Sequence, residues 1–258
     1  MSTFHVVCLL ILLPVHAASP MPKCGADSAW AGSRVENAVR RLFVLIVKAA
    51  LIVALLGSAT PFAWDADRMV SAASRLGPLA TEGVRALQPV LTLAMDFDDL
   101  ARLAAVNQFF NRRIVFAEDA SIWNQADYWA SPLELLAKGA GDCEDYVIAK
   151  YFSLLVTGVS NARLRLVYVR LQMGGPGGVV QPHMVLAYYA SPNAEPLILD
   201  NLINDIKPAS RRPDLVPVFS FNGEGLWQGV DGPAVADSIT RLSRWREVLA
   251  KAKAEGFQ

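Results

Sequence analysis

The sequence predicts an α+β domain, and three observations carry that reading. Between Trp64 and Gly158 apolar residues recur at helical spacing, from Arg163 to Leu202 they alternate with period two, and Gly, Pro and Asn mark the changes of pattern. Helices grouped ahead of an antiparallel sheet distinguish α+β from alternating α/β chains. A chain of 258 residues is long enough for one large domain or two small ones. Its net charge of +0 and pI near 6.8 argue against the basic face of a nucleic-acid binder and point to no partner class.

The hydrophobic fraction of 53% exceeds the ordinary ~45–50%, and the excess lies before Trp64. The stretch "FHVVCLLILLPVHAAS" is broken by Pro14 and has almost no positive start. In "VRRLFVLIVKAALIVALLGSATPFAW", Arg40 and Arg41 precede an apolar core, Leu42 to Leu56, and Gly57-Ser58-Ala59 forms a small-residue exit. That core is shorter than the roughly 20 residues a spanning helix needs. Residues 1–39 are therefore read as a leader of no structural consequence, 40–63 as an export signal peptide or an uncleaved N-terminal anchor, and 64–258 as a single domain. Cys8 and Cys24 belong to the leader, so the exported chain keeps one cysteine and forms no internal disulfide. An unpaired thiol in an oxidising compartment suggests chemistry; the alternative is a buried, inert side chain.

The elements follow in order. From Asp65 to Leu93, short helical patterns are cut by Gly77-Pro78 and Pro89. A stronger helix runs from about Phe97 to Arg113 after the acidic start Asp96, Asp98, Asp99. Ser131-Pro132-Leu133-Glu134 has a capping-box pattern with Pro at the first helical position, and Lys138-Gly139 ends that turn. Gly141-Asp142 supplies a second N-cap for a helix reaching Gly158, with Val147, Ile148, Tyr151, Leu154 and Leu155 on its buried face. Strands are expected at 163–171, 183–190 and 195–202, joined by the flexible "QMGGPGGVVQP" and the turn "SPNA". A hairpin in "VPVFSFNGEGLWQG" and a final amphipathic helix with Val235, Ile239, Leu242, Trp245 and Leu249 on one side complete the domain.

Cys143 opens the second helix inside "GAGDCEDYVIAKY", where the helix dipole favours its thiolate. Asp142, Glu144 and Asp145 oppose it. Only one histidine, His183, follows the leader. In a hairpin turning at Ser191 to Ala194, facing residues have numbers summing to about 383–385, which puts His183 opposite Asp200 or one place away. A carboxylate there can fix the imidazole tautomer. Cys143, His183 and Asp200 thus form a candidate nucleophile, base and orienting acid; the alternative is a buried Cys with an incidental His.

"GAGDCEDYVIAKYFSLL", "HMVLAYY" and "PLILDN", with "FFNRRIVFAEDASIWNQADYWASPLELL" before them, resemble the bacterial transglutaminase-like cysteine peptidases over roughly residues 64–232. The resemblance implies a papain-like or transglutaminase-like fold. It also implies calcium-dependent periplasmic endoproteolysis of a large cell-surface adhesin near its N-terminus, at a dialanine-containing site, with release of cells from a biofilm. The implied partner is an inner-membrane cyclic di-GMP receptor (LapD-like) that holds the protease. By the same resemblance Cys143 is nucleophile, His183 general base and then acid, and Asp200 the orienting group. Trp129 or Asn124 is a candidate oxyanion donor beside the Cys143 N–H.

Three acids within four residues exceed what a helix dipole needs, and hard oxygen ligands at that density suit Ca²⁺. Asp142, Glu144 and Asp145 are the expected ligands, as in the family, joined by carbonyls near Asp127–Tyr128 and near Asn161. Two readings compete with the peptidase: an acyl transferase of transglutaminase type, and a non-catalytic calcium-dependent binding module on the same fold. Gly174–Gly178 is read as a slack loop rather than a mobile cleft wall, and Trp227 and Trp245 as core residues rather than docking residues.

Overall fold

The helical half of the domain forms the wall on which its sheet rests. The computed structural model describes residues 64–258 except 176, 231, 233, 237–241 and 258, and of 234–236 the backbone alone. The leader and the signal or anchor expected at 1–39 and 40–63 lie outside the described residues. Among the described residues, no helix is long and apolar enough to cross a membrane.

Helix α1 (Ala66–Leu76) starts where the Asp65 side chain accepts from the Arg68 N–H. Gly77, at φ 121°, turns the chain into α2 (Pro78–Ala94), which has Pro78 in its first turn. Pro89 does not cut α2, contrary to expectation. Both Pro89 and Arg85 are exposed, so the Arg85 carbonyl that loses its N–H partner faces water and the helix continues. Helix α3 (Asp99–Arg113) is capped by Asp98, which accepts from the Ala101 N–H at 2.9 Å.

Strand β1 (Val115–Phe116) and the short α4 (Asp119–Ile122) lead to α5 (Pro132–Lys138). The expected capping box is present on α5: Ser131 accepts from the Glu134 N–H while the Glu134 carboxylate accepts from the Ser131 N–H. Gly139, at φ 63°, closes α5 in the left-handed region. The next two residues form β2 (Ala140–Gly141), parallel to β1, and this pairing fixes the entry of α6 (Cys143–Val156).

Helix α6 is central rather than amphipathic. Val147, Ile148, Tyr151 and Leu154 are buried as expected, but so are Asp145, Lys150 and Ser153, and Leu155 is only half-buried. It packs against α3 and α5 and against two strands of the sheet, so few of its positions face solvent.

The sheet contains β3 (Leu164–Met173), β4 (Val179–Tyr188), β5 (Leu197–Leu199), β6 (Lys207–Pro208), β7 (Leu215–Phe221), β8 (Leu226–Gln228) and β9 (Ala234–Ala236). Its order is β6-β5-β4-β3-β7-β8-β9, with every neighbouring pair antiparallel. Met173 pairs with Val179, so most of the expected flexible connection is strand and only Gly174–Gly178 turns. The Gly178 N–H donates to the Gly175 carbonyl at 3.0 Å inside that turn. Alternation sends Leu164, Leu166, Met184, Leu186 and Leu199 to the helix side, and Val167, Val169, Val185 and Ile198 to a smaller cluster behind the sheet. Each such side chain stabilises the fold by about 1.5–3 kcal/mol on burial.

The last helix, α7 (Ser243–Ala254), begins later than expected. Val235 lies in β9, paired to β8, and Ile239 falls outside the described residues. Trp245 is fully buried, its Nε1–H donating to the Asn222 carbonyl at 3.1 Å and its ring meeting Tyr151, Phe152 and Phe221. It is a core residue as expected, whereas Trp227 is half-buried with the Arg165 guanidinium 4.1 Å above its ring. The architecture is α+β, with the helical layer on one face of the sheet.

Candidate active site

Cys143 is the first residue of α6 and is partly buried. Its S–H donates to Glu144 Oε2 at 3.0 Å, and the backbone N–H of Met184 on β4 reaches the sulfur. The thiol therefore sits against the strand position next to His183. Burial raises its pKa, and Glu144 and then Asp142 add to the rise. In the absence of a countercharge this is a protonated thiol.

His183 and Asp200 meet as the hairpin register suggests. Leu186 pairs with Leu199, a sum of 385, at the upper end of the expected range. The β4–β5 ladder ends there, Asp200 leaves it, and His183 Nε2 lies 2.9 Å from Asp200 Oδ1. Both side chains are almost wholly buried, at 4% and 1% exposure. Burial alone would raise the Asp200 carboxyl. The hydrogen bond and charge of His183, the Leu202 N–H and Arg212 outweigh it and hold the group at about 2. The Asp200 carbonyl is fixed as well, accepting from Asn111 Nδ2 at 2.8 Å and from Lys150 Nζ at 3.2 Å. Burial lowers Lys150 to about 7, with Asp200 acting in the opposite sense.

The acids around Cys143 form a second constellation. Asp119, Asp142 and Asp145 are buried and can each bring an oxygen within 4.8 Å of the others; Asp119, Asp127 and Glu144 form an overlapping group. One oxygen in each of the three buried acids, Asp119 Oδ1, Asp142 Oδ1 and Asp145 Oδ2, has no hydrogen-bond partner. Their remaining oxygens are in part occupied: Asp119 Oδ2 accepts from the Tyr128 N–H, and Asp145 Oδ1 from the Ala130 N–H at 2.8 Å. Burial pushes all three carboxyls above their ordinary range, and repulsion by Glu144 adds to each shift. Unpaired, buried carboxylate oxygens converging on one point fit a hard divalent cation, and calcium matches the donor set.

Gly141 is required beside this cluster. A Cβ on it would lie 2.5 Å from Leu135 Cδ1 and 2.8 Å from Asp145 Oδ2.

Several expectations need correction. Asp142 takes the N-cap backbone position, but its side chain caps nothing. Asn161 is not near the acids. It follows the far end of α6, where its Oδ1 accepts from the Tyr151 hydroxyl and its carbonyl from Asn222. Trp129 stacks on Phe221 at 5.7 Å, and Asn124 occupies a turn at φ 55°. Asp119 was not anticipated as a ligand, because an acid opening a short helix reads as a cap. Arg212, 2.8 Å from Asp200 Oδ2, was missed too, since nothing in "SRRPD" marks one arginine as buried.

A thiol at the start of a buried helix, packed on an antiparallel sheet that bears an imidazole hydrogen-bonded to a buried carboxylate, is the arrangement expected of a transglutaminase-like cysteine peptidase. The chain belongs to the bacterial transglutaminase-like cysteine proteinases (BTLCP), whose family model matches residues 82–227. Among solved structures it is similar to Legionella pneumophila LapG, with 35% identity over 73% of this chain and 97% of that one, at a TM-score of 0.62. The EGTA-treated form of LapG gives 34% identity over 73% and 97% of the two chains, with a TM-score of 0.64. Its calcium-bound form gives 34% over 72% and 98%, with a TM-score of 0.62. No curated protein matches the chain.

Proposed function

We propose that this chain is a calcium-dependent periplasmic cysteine endopeptidase that cleaves the N-terminal region of a large surface adhesin, under control of a cyclic di-GMP receptor. The observation that carries the reading is the buried His183–Asp200 pair, 2.9 Å apart, on the strand residue next to the one whose N–H reaches the Cys143 sulfur. A binding module has no need of such a set, and the chain is 35% identical to LapG.

Asp200 Oδ1 accepts from His183 Nε2–H, which leaves Nδ1 as the basic nitrogen. His183 takes the thiol proton at Nδ1, and the Cys143 sulfur attacks the scissile carbonyl carbon. The C–N bond then breaks as His183 returns the proton to the leaving amine, leaving an acyl-enzyme. Water adds to the acyl carbon, giving its proton to His183; the C–S bond breaks and the thiol is restored. The Cys143 N–H at the helix start is the proposed backbone donor for the oxyanion.

Calcium, when bound, neutralises the carboxylates that otherwise hold the thiol protonated. Asp119, Asp142 and Asp145 are its proposed ligands by their unpaired oxygens, and Glu144 and Asp127 by their place in the overlapping group. The presence of a calcium-bound and an EGTA-treated LapG among the similar structures supports this assignment. Export by the segment at 40–63 and a LapD-like inner-membrane receptor belong to the same reading.

The test is incubation of the purified protein with the N-terminal region of an adhesin encoded nearby, with calcium or with chelator, and with a labelled amine present. Calcium-dependent cleavage, abolished in C143A, is the expected result. Incorporation of the amine without cleavage would instead establish acyl transfer, and cleavage by C143A would overturn the nucleophile.

A further inference from the structure

We infer that Arg212 is a positioning residue for the peptidase reaction: it holds the Asp200 carboxylate so that Oδ1 stays aimed at His183. The inference rests on the proposed roles of Cys143, His183 and Asp200.

Asp200 has two carboxylate oxygens with different duties. Oδ1 faces His183 Nε2 at 2.9 Å and accepts from the Leu202 N–H at 3.1 Å. Oδ2 lies 2.8 Å from Arg212 Nη2. This second contact is an ion pair off the aligned hydrogen-bond direction, since Oδ2 has no well-directed donor. What Arg212 supplies is therefore charge and position. Rotation about the Asp200 carboxyl torsion is broad for an unpinned side chain, and a contact on each oxygen removes that freedom.

Arg212 can pin Asp200 because it is itself immobile. Its Nε reaches both oxygens of Asp214, at 3.0 and 3.2 Å, and its Nη2 lies 2.7 Å from Asp214 Oδ2. Its backbone closes a 3-10 turn at 209–211, with its N–H donating to the Ala209 carbonyl at 2.9 Å, and it leads directly into β7. The side chain is 3% exposed. One guanidinium thus bridges two carboxylates, a geometry that a planar fork allows and a point-charge ammonium does not. The other charged groups facing Asp200 are His183 on its carboxylate and Lys150 on its carbonyl. Neither contacts Oδ2, so Arg212 has no substitute.

Arg212 also lines a cavity of about 610 Å³ behind the sheet, whose floor includes Val167, Val169 and Val185. The cavity gives a small cation a route to the same place if the side chain is shortened.

The experiment compares full-length wild type, R212M, R212K and R212A with calcium present. Turnover of an adhesin peptide is measured, together with the nitrogen NMR shifts of the His183 imidazole, assigned by their loss in H183Q. The expected wild-type signature is a proton held at Nε2, facing Asp200 Oδ1. R212M should lose about ten- to a hundredfold in kcat, with KM within about twofold, and its imidazole should become a mixture of tautomers. R212K should recover part of both, and guanidinium should raise kcat in R212A. Wild-type kcat and tautomer in R212M would overturn the inference. So would a loss in R212M that neither lysine nor guanidinium relieves while the tautomer stays unchanged. If R212M fails to fold, R212K and R212A decide by the same two readouts. If wild type cleaves no peptide, the proposed function falls, and the tautomer alone decides the role of Arg212.

Discussion

The Cys143 thiol donates to Glu144 Oε2 at 3.0 Å, so in this arrangement the proposed nucleophile is hydrogen-bonded to its own sequence neighbour rather than to His183. Glu144 also belongs to the acidic group with Asp119 and Asp127. A cation that draws the Glu144 carboxylate toward those acids removes the acceptor that stabilises the protonated thiol and adds positive charge beside the sulfur. Alkylation of Cys143 by iodoacetamide, followed by the mass of its peptide, should therefore be at least about tenfold faster with calcium than with chelator. E144Q should narrow that ratio. Equal rates in calcium and chelator would break the link between metal and nucleophile.

At the proposed calcium site, the acids tie stabilisation by the metal to pH. Burial pushes Asp119, Asp142 and Asp145 above the ordinary carboxylate range, so the metal-free fold is favoured when they are protonated and loses stability as pH rises through their raised values. Calcium must displace those protons, and its affinity rises with pH. At a fixed calcium concentration, the gain in Tm over the chelated protein should be larger at pH 7.5 than at pH 5.5. At a hundred times Kd the gain corresponds to about 2.7 kcal/mol. D119N, D142N and D145N should each shrink it, and a gain independent of pH would remove these carboxyls from the site.

Asp200 behaves in the opposite sense. Burial would raise it, but His183, the Leu202 N–H and Arg212 hold it at about 2, below its ordinary value of 3.8. That depression contributes about 2 kcal/mol of stability. The contribution is present above pH ~4 and lost as pH falls through ~2. D200N should remove this acid limb from thermal unfolding measured between pH 2 and 6. It should also lower kcat by roughly 10³–10⁴, because a neutral amide no longer selects the Nε2–H tautomer. Retention of the wild-type acid limb in D200N would show that the limb comes from groups other than Asp200.

These outcomes depend on residues that were unequally legible in the sequence. The helix start at Cys143 could be read from Gly141-Asp142, and the meeting of His183 with Asp200 from the length of one turn, because local caps and hairpin registers are set within a few residues. Asp119 lies 23 positions before Asp142 and reaches it only through the short α4 and the parallel β1–β2 pair, a long-range contact without a local pattern. Arg212 sits on the far side of the sheet from α6, buried by two carboxylates, whereas arginines are ordinarily exposed. Pro89 misled in the other direction: the cost of a proline in a helix depends on whether the carbonyl it abandons can reach water.

Glu255, at the end of α7, gives a test of how that helix is joined to the active-site wall. Its carboxylate is 8% exposed; it accepts from the Ser131 hydroxyl and from the Leu133 N–H at 3.2 Å, tying α7 to the start of α5. Burial raises it to about 7 against the pull of those two donors. A raised carboxylate costs nothing below its ordinary value near 4.5 and destabilises the fold increasingly as pH climbs, reaching the full amount above ~7. The full cost is about 3 kcal/mol. In E255Q the side-chain carbonyl can still accept from Leu133, and the amide can donate to the Ser131 oxygen, so the join is kept while the charge is gone. E255Q should then unfold roughly 6–12 °C above wild type at pH 8 and at about the same temperature at pH 4.5. A lower Tm for E255Q at pH 8 would mean that the charged hydrogen bonds outweigh desolvation, and that α7 is held by the anion itself.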